Sequence, residues 1–268
     1  NSSSMDNALV SNFGGINMRD SSSAGSAIIT NYGSIGFLDT SSAGTANITN
    51  SGLLRFDQSS TAGQADITNA GGATLQFLDA SSAGNAQITN DLGGELSFSD
   101  PVNTLFTSAT SAANSTITNN GVLTFGRLST AGSANITNNG ITTFSEVSNA
   151  GNATITNNGV LAFNGPMPNR FDPREPTSAK DATIINNNVL QFTKKSTGGN
   201  AALTNGSTGI VDFSETLVAP TIGSIAGGGN IYLGQLGLSI GGNNLSTVFS
   251  GSIGNCAVGQ PCVTKSPF

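Results

Sequence analysis

A unit of 19 residues recurs about ten times along this chain of 268 residues, and this repeat constrains the fold more than any other feature. Its consensus is Ser-x-Ala-Gly-x-Ala-x-Ile-Thr-Asn-x-Gly-x-Leu-x-Phe-x-x-x. One copy is too short to bury its own apolar residues, so successive copies must stack and cover one another. The repeat therefore predicts an elongated array of coils instead of a globule with one central core.

Within each unit, apolar and polar residues alternate, which favours strands over helices. The segment Ala-x-Ile-x-Asn places three side chains on one strand face, and Leu-x-Phe places two on another. The Ile position of the unit holds Val10, Ile29, Ile48, Ile67, Ile88, Ile117, Ile136, Ile155, Ile184 and Leu203. The Phe position holds Met18, Phe37, Phe56, Phe77, Phe98, Phe125, Phe144, Phe163, Phe192 and Phe213.

An asparagine stands two residues after the Ile position in every copy. An inward amide at the same place in each coil can bond to the amide of the next coil, which predicts a hydrogen-bonded ladder. The predicted ladder consists of Asn12, Asn31, Asn50, Asn69, Asn90, Asn119, Asn138, Asn157, Asn186 and Asn205.

Two glycine positions mark the bends between strands. One bend follows each ladder asparagine, at residues such as Gly14 and Gly33, because glycine accepts positive φ. The Ala-Gly pair, as in Ala24-Gly25, marks the other bend. Two strands and two bends make one coil, so we predict a single all-β parallel β-solenoid, a right-handed β-helix. Its regular coils occupy residues 1–213, and two or three irregular coils occupy residues 214–268.

Two insertions interrupt the repeat at the same corner of the coil, near residues 100–110 and 165–175. Function is often carried by such loops on a regular scaffold. The second insertion is a candidate recognition loop, with the alternative that it is a tolerated insertion whose charges are solvated. The candidate binding residues are Arg170, Phe171, Asp172, Arg174 and Glu175.

Carboxylates recur two residues after the Phe position. We interpret them as turn residues that bond their own backbone. Two alternatives stay open: a Ca²⁺ site, since calcium takes oxygen ligands, and the acidic cluster of a carbohydrate-cleaving β-helix enzyme. The column consists of Asp20, Asp39, Asp79, Asp100, Glu146 and Glu215, and it is interrupted by Gln58, Arg127, Gly165 and Lys194.

Threonine follows the Ile position in most copies and is expected to point outward. Regular outward threonines can order water, so ice binding is a minor alternative, but the partner column on the same face is irregular. Stacking of β-branched side chains across strands accounts for the column. It consists of Thr30, Thr49, Thr68, Thr89, Thr118, Thr137, Thr156 and Thr204.

Composition excludes several functional classes. The chain has 9 Lys and Arg against 15 Asp and Glu, so a nucleic-acid partner, which needs clustered basic residues, is not expected. It has no His, which rules out Ser-His-Asp or Cys-His catalysis and a Cys/His metal site. We predict no enzyme activity, no cofactor and no metal.

Cys256 and Cys262 flank a Gly/Pro turn, and we interpret them as a local disulfide formed in an oxidising compartment, with two free thiols as the alternative. No apolar run approaches the roughly 18 residues that a membrane-spanning helix needs. No signal peptide is visible at the first residue, so a secreted chain would be numbered after cleavage or within a longer precursor.

The tandem Ala-Gly-x-Ala-x-Ile-Thr-Asn-x-Gly units, followed by Gly-Gly-Asn-Asn-Leu-Ser-Thr-Val-Phe-Ser-Gly-Ser-Ile at residues 241–253, resemble the passenger domains of bacterial autotransporters. The resemblance covers nearly the whole chain, but its motifs are architectural and transfer no catalytic residues. It implies a secreted protein at the outer-membrane surface, acting as an adhesin, a biofilm or matrix component, or a fibre subunit.

The implied partners are other copies of the chain stacked end to end, or host and matrix surfaces with their glycans. A membrane would be reached only through a separate or removed translocator barrel. The alternative function is that of a polysaccharide-binding or polysaccharide-cleaving β-helix protein.

Overall fold

The computed structural model describes residues 2–99, 109–167 and 175–255. Within these ranges the chain is all-β, and no helix is long and apolar enough to cross a membrane. Most strands are four residues long, as the alternation within the repeat requires.

The strands are numbered in chain order. The first sixteen are β1 (Leu9–Asn12), β2 (Gly15–Met18), β3 (Ile28–Asn31), β4 (Ser34–Phe37), β5 (Asn47–Asn50), β6 (Leu53–Phe56), β7 (Asp66–Asn69), β8 (Thr74–Phe77), β9 (Gln87–Asn90), β10 (Glu95–Phe98), β11 (Thr116–Asn119), β12 (Val122–Phe125), β13 (Asn135–Asn138), β14 (Ile141–Ser145), β15 (Thr154–Asn157) and β16 (Val160–Asn164). The others are β17 (Thr177–Ser178), β18 (Thr183–Asn186), β19 (Val189–Lys194), β20 (Ser196–Thr197), β21 (Ala202–Asn205), β22 (Ile210–Thr216), β23 (Thr221–Ile222), β24 (Ser224–Gly227), β25 (Asn230–Tyr232), β26 (Ser239–Ile240) and β27 (Ser252–Gly254).

Two long parallel sheets run along the stacked coils. The first, sheet 1, has the order β1-β3-β5-β7-β9-β11-β13-β15-β18-β21-β24. The second, sheet 2, has the order β2-β4-β6-β8-β10-β12-β14-β16-β19-β22-β25-β27. Each strand pairs with its counterpart in the next coil, so that Ile29 lies opposite Ile48 and Phe37 lies opposite Phe56. The predicted all-β parallel solenoid is confirmed, with about twelve turns.

Each coil has three sides, whereas the sequence pattern predicted two strands and two bends. The third side is a column of single-residue parallel bridges, for example from Ser23 to Ser42 and from Ser42 to Thr61. The pairing of β17 with β20 continues this column. One residue per coil is too short to show an alternation of apolar and polar residues, so the sequence did not reveal this side.

The core is a stack of aromatic rings flanked by aliphatic side chains. Nine phenylalanines from Phe37 to Phe213 are fully buried. Successive rings lie 4.5–5.0 Å apart between centroids, with interplanar angles of 4–11°. Burial of one such ring contributes about 1.5–3 kcal/mol, and the stacked geometry adds to it. The coil spacing therefore follows from ring stacking as well as from strand pairing.

The glycine after each ladder asparagine has a different role from the one predicted. Gly33 and Gly159 do not have positive φ. A Cβ on Gly33 would lie 2.1 Å from the carbonyl oxygen of Gly14, and one on Gly159 would lie 2.0 Å from that of Gly140. Glycine is needed there because the backbones of two coils approach closely. The Ala-Gly bend does use positive φ, with values of 63° at Gly25 and 65° at Gly44.

Both sheets continue into the irregular C-terminal coils through β24, β25 and β27. The ladder of asparagines ends there because Gly227 takes the place of the next asparagine, opposite Asn205. The Nδ2 of Asn205 donates instead to the carbonyls of Gly209 at 3.0 Å and Gly228 at 2.8 Å. The amide is therefore satisfied by backbone where the repeat lapses.

Candidate functional site

The ladder asparagines lie at the end of each sheet 1 strand and are buried. From Asn12 to Asn186, each Nδ2 donates to the Oδ1 of the asparagine in the next coil, at 2.7–2.9 Å. The same nitrogen donates to the first carbonyl of the next coil's sheet 2 strand, at 2.8–3.0 Å. The ladder thus ties the two sheets together without charge, and its buried amides offer no contact to a ligand.

A second, exposed ladder of amides lies beside the buried one. The Nδ2 of Asn139 donates to Oδ1 of Asn120 at 2.9 Å, that of Asn158 to Asn139 at 2.9 Å, and that of Asn187 to Asn158 at 2.8 Å. At the same position near the N-terminus, Phe13 stacks on Tyr32 with ring centroids 4.9 Å apart. The sequence reasoning missed this ladder, although the repeated Asn-Asn pairs were its signal.

The threonine column lies on the outer face of sheet 1. Its members face solvent at least in part, and strand register places Thr118 opposite Thr137 and Thr137 opposite Thr156. The neighbouring outward column on this face is irregular, since it includes Ile28 and Asp66. Ice binding therefore stays a minor alternative, as in the sequence analysis.

Four members of the carboxylate column, Asp20, Asp39, Asp79 and Glu146, occupy a tight bend after a sheet 2 strand, whereas Glu215 lies within β22. Asp20, Asp39 and Glu146 have φ of 54°, 59° and 58°, and the uncharged Gln58 has 56°. The bend therefore requires positive φ whatever the charge. The Asp39 carboxylate accepts a hydrogen bond from the Asp20 N–H at 3.0 Å, so it bonds the preceding coil and not its own backbone as predicted. Within the described ranges, no three His, Cys, Asp or Glu side chains gather to hold a metal ion.

In the chain, the first insertion follows β10 and the second follows β16. The second leaves sheet 2 after Asn164 and returns through Glu175, which is exposed. The remaining residues of the predicted recognition loop, Arg170, Phe171, Asp172 and Arg174, lie outside the described residues, as do Asp100, Cys256 and Cys262.

The coils beside the second insertion are irregular. Strands β16, β19 and β22 have five, six and seven residues, and the register between β19 and β22 shifts after Gln191, which leaves β22 with an extra residue. A cleft of about 350 Å³ opens here on the outer face of sheet 2. We call it the Ala162 cleft; its lining includes Thr143, Ala162, Asn164, Gln191, Lys194 and Glu215.

A short side chain in the outward column produces the Ala162 cleft. Ala162 lies between Thr143 and Gln191 on adjacent strands, so a gap remains between their longer side chains. A smaller cleft of about 220 Å³ forms by the same means at Gly36. There the Arg55 guanidinium is already paired with the Asp57 carboxylate. The sequence reasoning missed both clefts, whose only signal was a small residue in an outward position.

Comparisons with known proteins returned no relative. No protein-family model matches the chain, no curated protein matches it, and no solved structure matches it.

Proposed function

We propose that this chain is a non-catalytic, exported β-helical protein of the autotransporter-passenger type, which serves at the cell surface as a rigid structural or adhesive scaffold. The observation that carries the proposal is the strictly sequential stacking of the coils. Each strand of the two long sheets pairs only with its counterparts in the coils before and after it. Such a chain can fold coil by coil as it emerges from an export channel, because the strand pairing of each coil does not require a segment that is distant in sequence.

The interior also suits a protein that works outside the cell. The described core is held by stacked phenylalanine rings, aliphatic side chains and asparagine amides, none of which titrates. Stability then depends little on ionic strength, because no ion pair between described residues crosses the centre of the coil. A rod of this kind presents long outer faces, which is what a scaffold or adhesin requires.

Export is tested by fusing the chain between a secretory signal peptide and an autotransporter translocator barrel in a Gram-negative host. We expect an antibody against the chain to label intact cells, and external protease to remove the label. The matched control replaces the fully buried Ile48 and Phe56 by Asp, which prevents folding of the coil, and it should stay inside the cell envelope. Retention of the unaltered fusion in the periplasm would contradict the proposal.

The partner that we propose is a second copy of the chain, stacked end to end. Neighbouring coils pair through the same parallel register, as β3 does with β1 and with β5, so a second copy of the chain offers a matching edge for such pairing. Electron microscopy of the concentrated chain should show rods much longer than the roughly 60–70 Å of one copy at about 4.8 Å per coil. Monomeric sedimentation at every concentration would exclude this partner.

The non-catalytic part of the proposal has its own test. Purified chain should release no reducing ends from neutral or uronic-acid polysaccharides during long incubation. Depolymerisation that disappears when Glu215 is changed to Gln would instead assign the chain to the carbohydrate-cleaving β-helix enzymes.

A further inference from the structure

The Ala162 cleft lies where three irregularities of the solenoid coincide. Strands β16, β19 and β22 are lengthened, β22 carries an extra residue, and the second insertion leaves the coil after Asn164. A bulge re-aims the side chains that follow it, and bulges are enriched beside binding sites. Here the lengthened strands carry Asn164, Thr193 and Glu215 beyond the point where the regular strands end.

One polar side chain of the cleft, Asn164, is oriented by a hydrogen bond from Thr193, and the other polar side chains have no side-chain partner among the described residues. The Thr193 hydroxyl donates to Oδ1 of Asn164 at 2.9 Å, which orients the amide and leaves its Nδ2 hydrogens for another acceptor. In the part of the chain that the structure describes, the Gln191 amide makes no hydrogen bond, and Lys194 and Glu215 form no ion pair with each other or with a third residue. The cleft therefore offers several unpaired donors and acceptors within one small volume.

The balance of these groups indicates the class of ligand. Lys194 contributes one positive charge and Glu215 one negative charge, so neither an anionic nor a cationic polymer is favoured. Amide donors and acceptors around the short Ala162 side chain match a molecule that has many hydroxyl groups and an apolar C–H face. A volume of about 350 Å³ is at the lower end for ligand pockets, which suits a short stretch of a chain and not a large cofactor.

We propose that the Ala162 cleft binds an uncharged, hydroxyl-rich oligosaccharide, with Asn164 and Lys194 donating to sugar hydroxyls and Gln191 and Glu215 accepting from them. This goes beyond the scaffold role, which needs no ligand. It also differs from the sequence prediction, which placed recognition in the insertion itself at Arg170–Glu175.

The test uses the whole purified chain and four probes: cellobiose, N,N′-diacetylchitobiose and mannobiose as neutral sugars, and digalacturonate as the anionic one. Saturation-transfer NMR followed by titration should detect saturable binding of at least one neutral sugar and none of digalacturonate. Absence of binding by all three neutral sugars overturns the proposal, and so does preferential binding of digalacturonate.

Variants then locate the binding. Ala162→Phe fills the cleft and should abolish binding, while Glu215→Gln should weaken it about tenfold by removing a charged acceptor. Gln76→Phe is the matched control, because it adds the same ring to the same outward column four coils away and should leave affinity unchanged.

Binding that survives Ala162→Phe, or that is lost equally in Gln76→Phe, places the sugar elsewhere and overturns the proposal. If circular dichroism shows that Ala162→Phe does not fold, Glu215→Gln and Asn164→Ala, whose side chains lie at the surface, decide the question in its place.

Discussion

At the scale of single residues, the buried asparagines act as both donor and acceptor in the same ladder. Asn157 accepts from Nδ2 of Asn138 at 2.7 Å, and it donates to Oδ1 of Asn186 and to the Val189 carbonyl, each at 2.8 Å. Removing one member therefore leaves hydrogen-bonding groups without partners in the coils on both sides. A buried polar group without a partner costs more than the bond it made was worth.

We expect Asn157→Ala to lower the free energy of unfolding by about 1–3 kcal/mol, because it leaves one donor and one or more acceptors buried without partners. The measurement is urea denaturation followed by far-ultraviolet circular dichroism. Asn158→Ala is the matched control: its amide lies in the exposed ladder, where water replaces the lost bonds, and its effect should be about 0.5 kcal/mol or less. Equal losses of unfolding free energy in the two variants would show that burial of the asparagine amides does not increase their contribution to stability.

Gly159, at the bend after the ladder asparagine Asn157, is predicted to tolerate no side chain. Gly159→Ala should destabilise the chain by about 1–3 kcal/mol, since its Cβ would fall 2.0 Å from the Gly140 carbonyl oxygen and the coils must move apart. Gly14→Ala has the same position in the repeat, but nothing lies within 4 Å of its Cβ, so thermal unfolding should be nearly unchanged. A similar loss in Gly14→Ala would indicate a conformational requirement and not a steric one.

At the scale of elements, sheet 2 is stabilised by a continuous stack of phenylalanines. Phe125 lies between Phe98, at 4.9 Å, and Phe144, at 4.5 Å, and is fully buried. The stack aligns neighbouring strands because a shift of one residue would turn every ring out to solvent. Strand register and ring stacking therefore reinforce each other.

Phe125→Ala should cost about 3–5 kcal/mol, because it opens a cavity between two rings that cannot close without moving both coils. Phe125→Leu keeps most of the apolar volume and should cost clearly less, as measured by chemical denaturation. Phe13→Ala removes a ring that is stacked but 77% exposed, and its effect should be within about 1 kcal/mol. A loss for Phe125→Ala no larger than that for Phe13→Ala would contradict the role of the buried stack.

At the scale of the whole molecule, the solenoid is close to a one-dimensional array. Its coils present equivalent surfaces to the coils on either side, since the registers of β3 with β5 and of β5 with β7 match residue for residue. Stability is then approximately a sum of coil and interface terms. The regular coils should accordingly be interchangeable.

Deletion of residues 46–64, one full unit, joins Thr45 to Ala65 and should leave a folded rod that is shorter by about 4.8 Å. Circular dichroism per residue should be unchanged and the urea midpoint only slightly lower. Replacing Ile48 and Phe56 of the same coil by Asp places charges without partners in the fully buried core, and it should abolish cooperative unfolding. If the full-unit deletion also fails to fold, contacts beyond neighbouring coils are essential and the array description is wrong.

The sequence alone determined the parallel solenoid, the length of its coil and the inward position of Asn157 and Phe125, because the facing of a side chain follows from local alternation that every copy repeats. It also located the corner from which the insertions leave. Only the tertiary structure revealed the third side of the coil, the steric role of Gly159 and the cleft at Ala162. Each of these depends on how closely one coil approaches the next or on which side chains border a gap between strands, and such distances between coils have no periodic signature in the sequence.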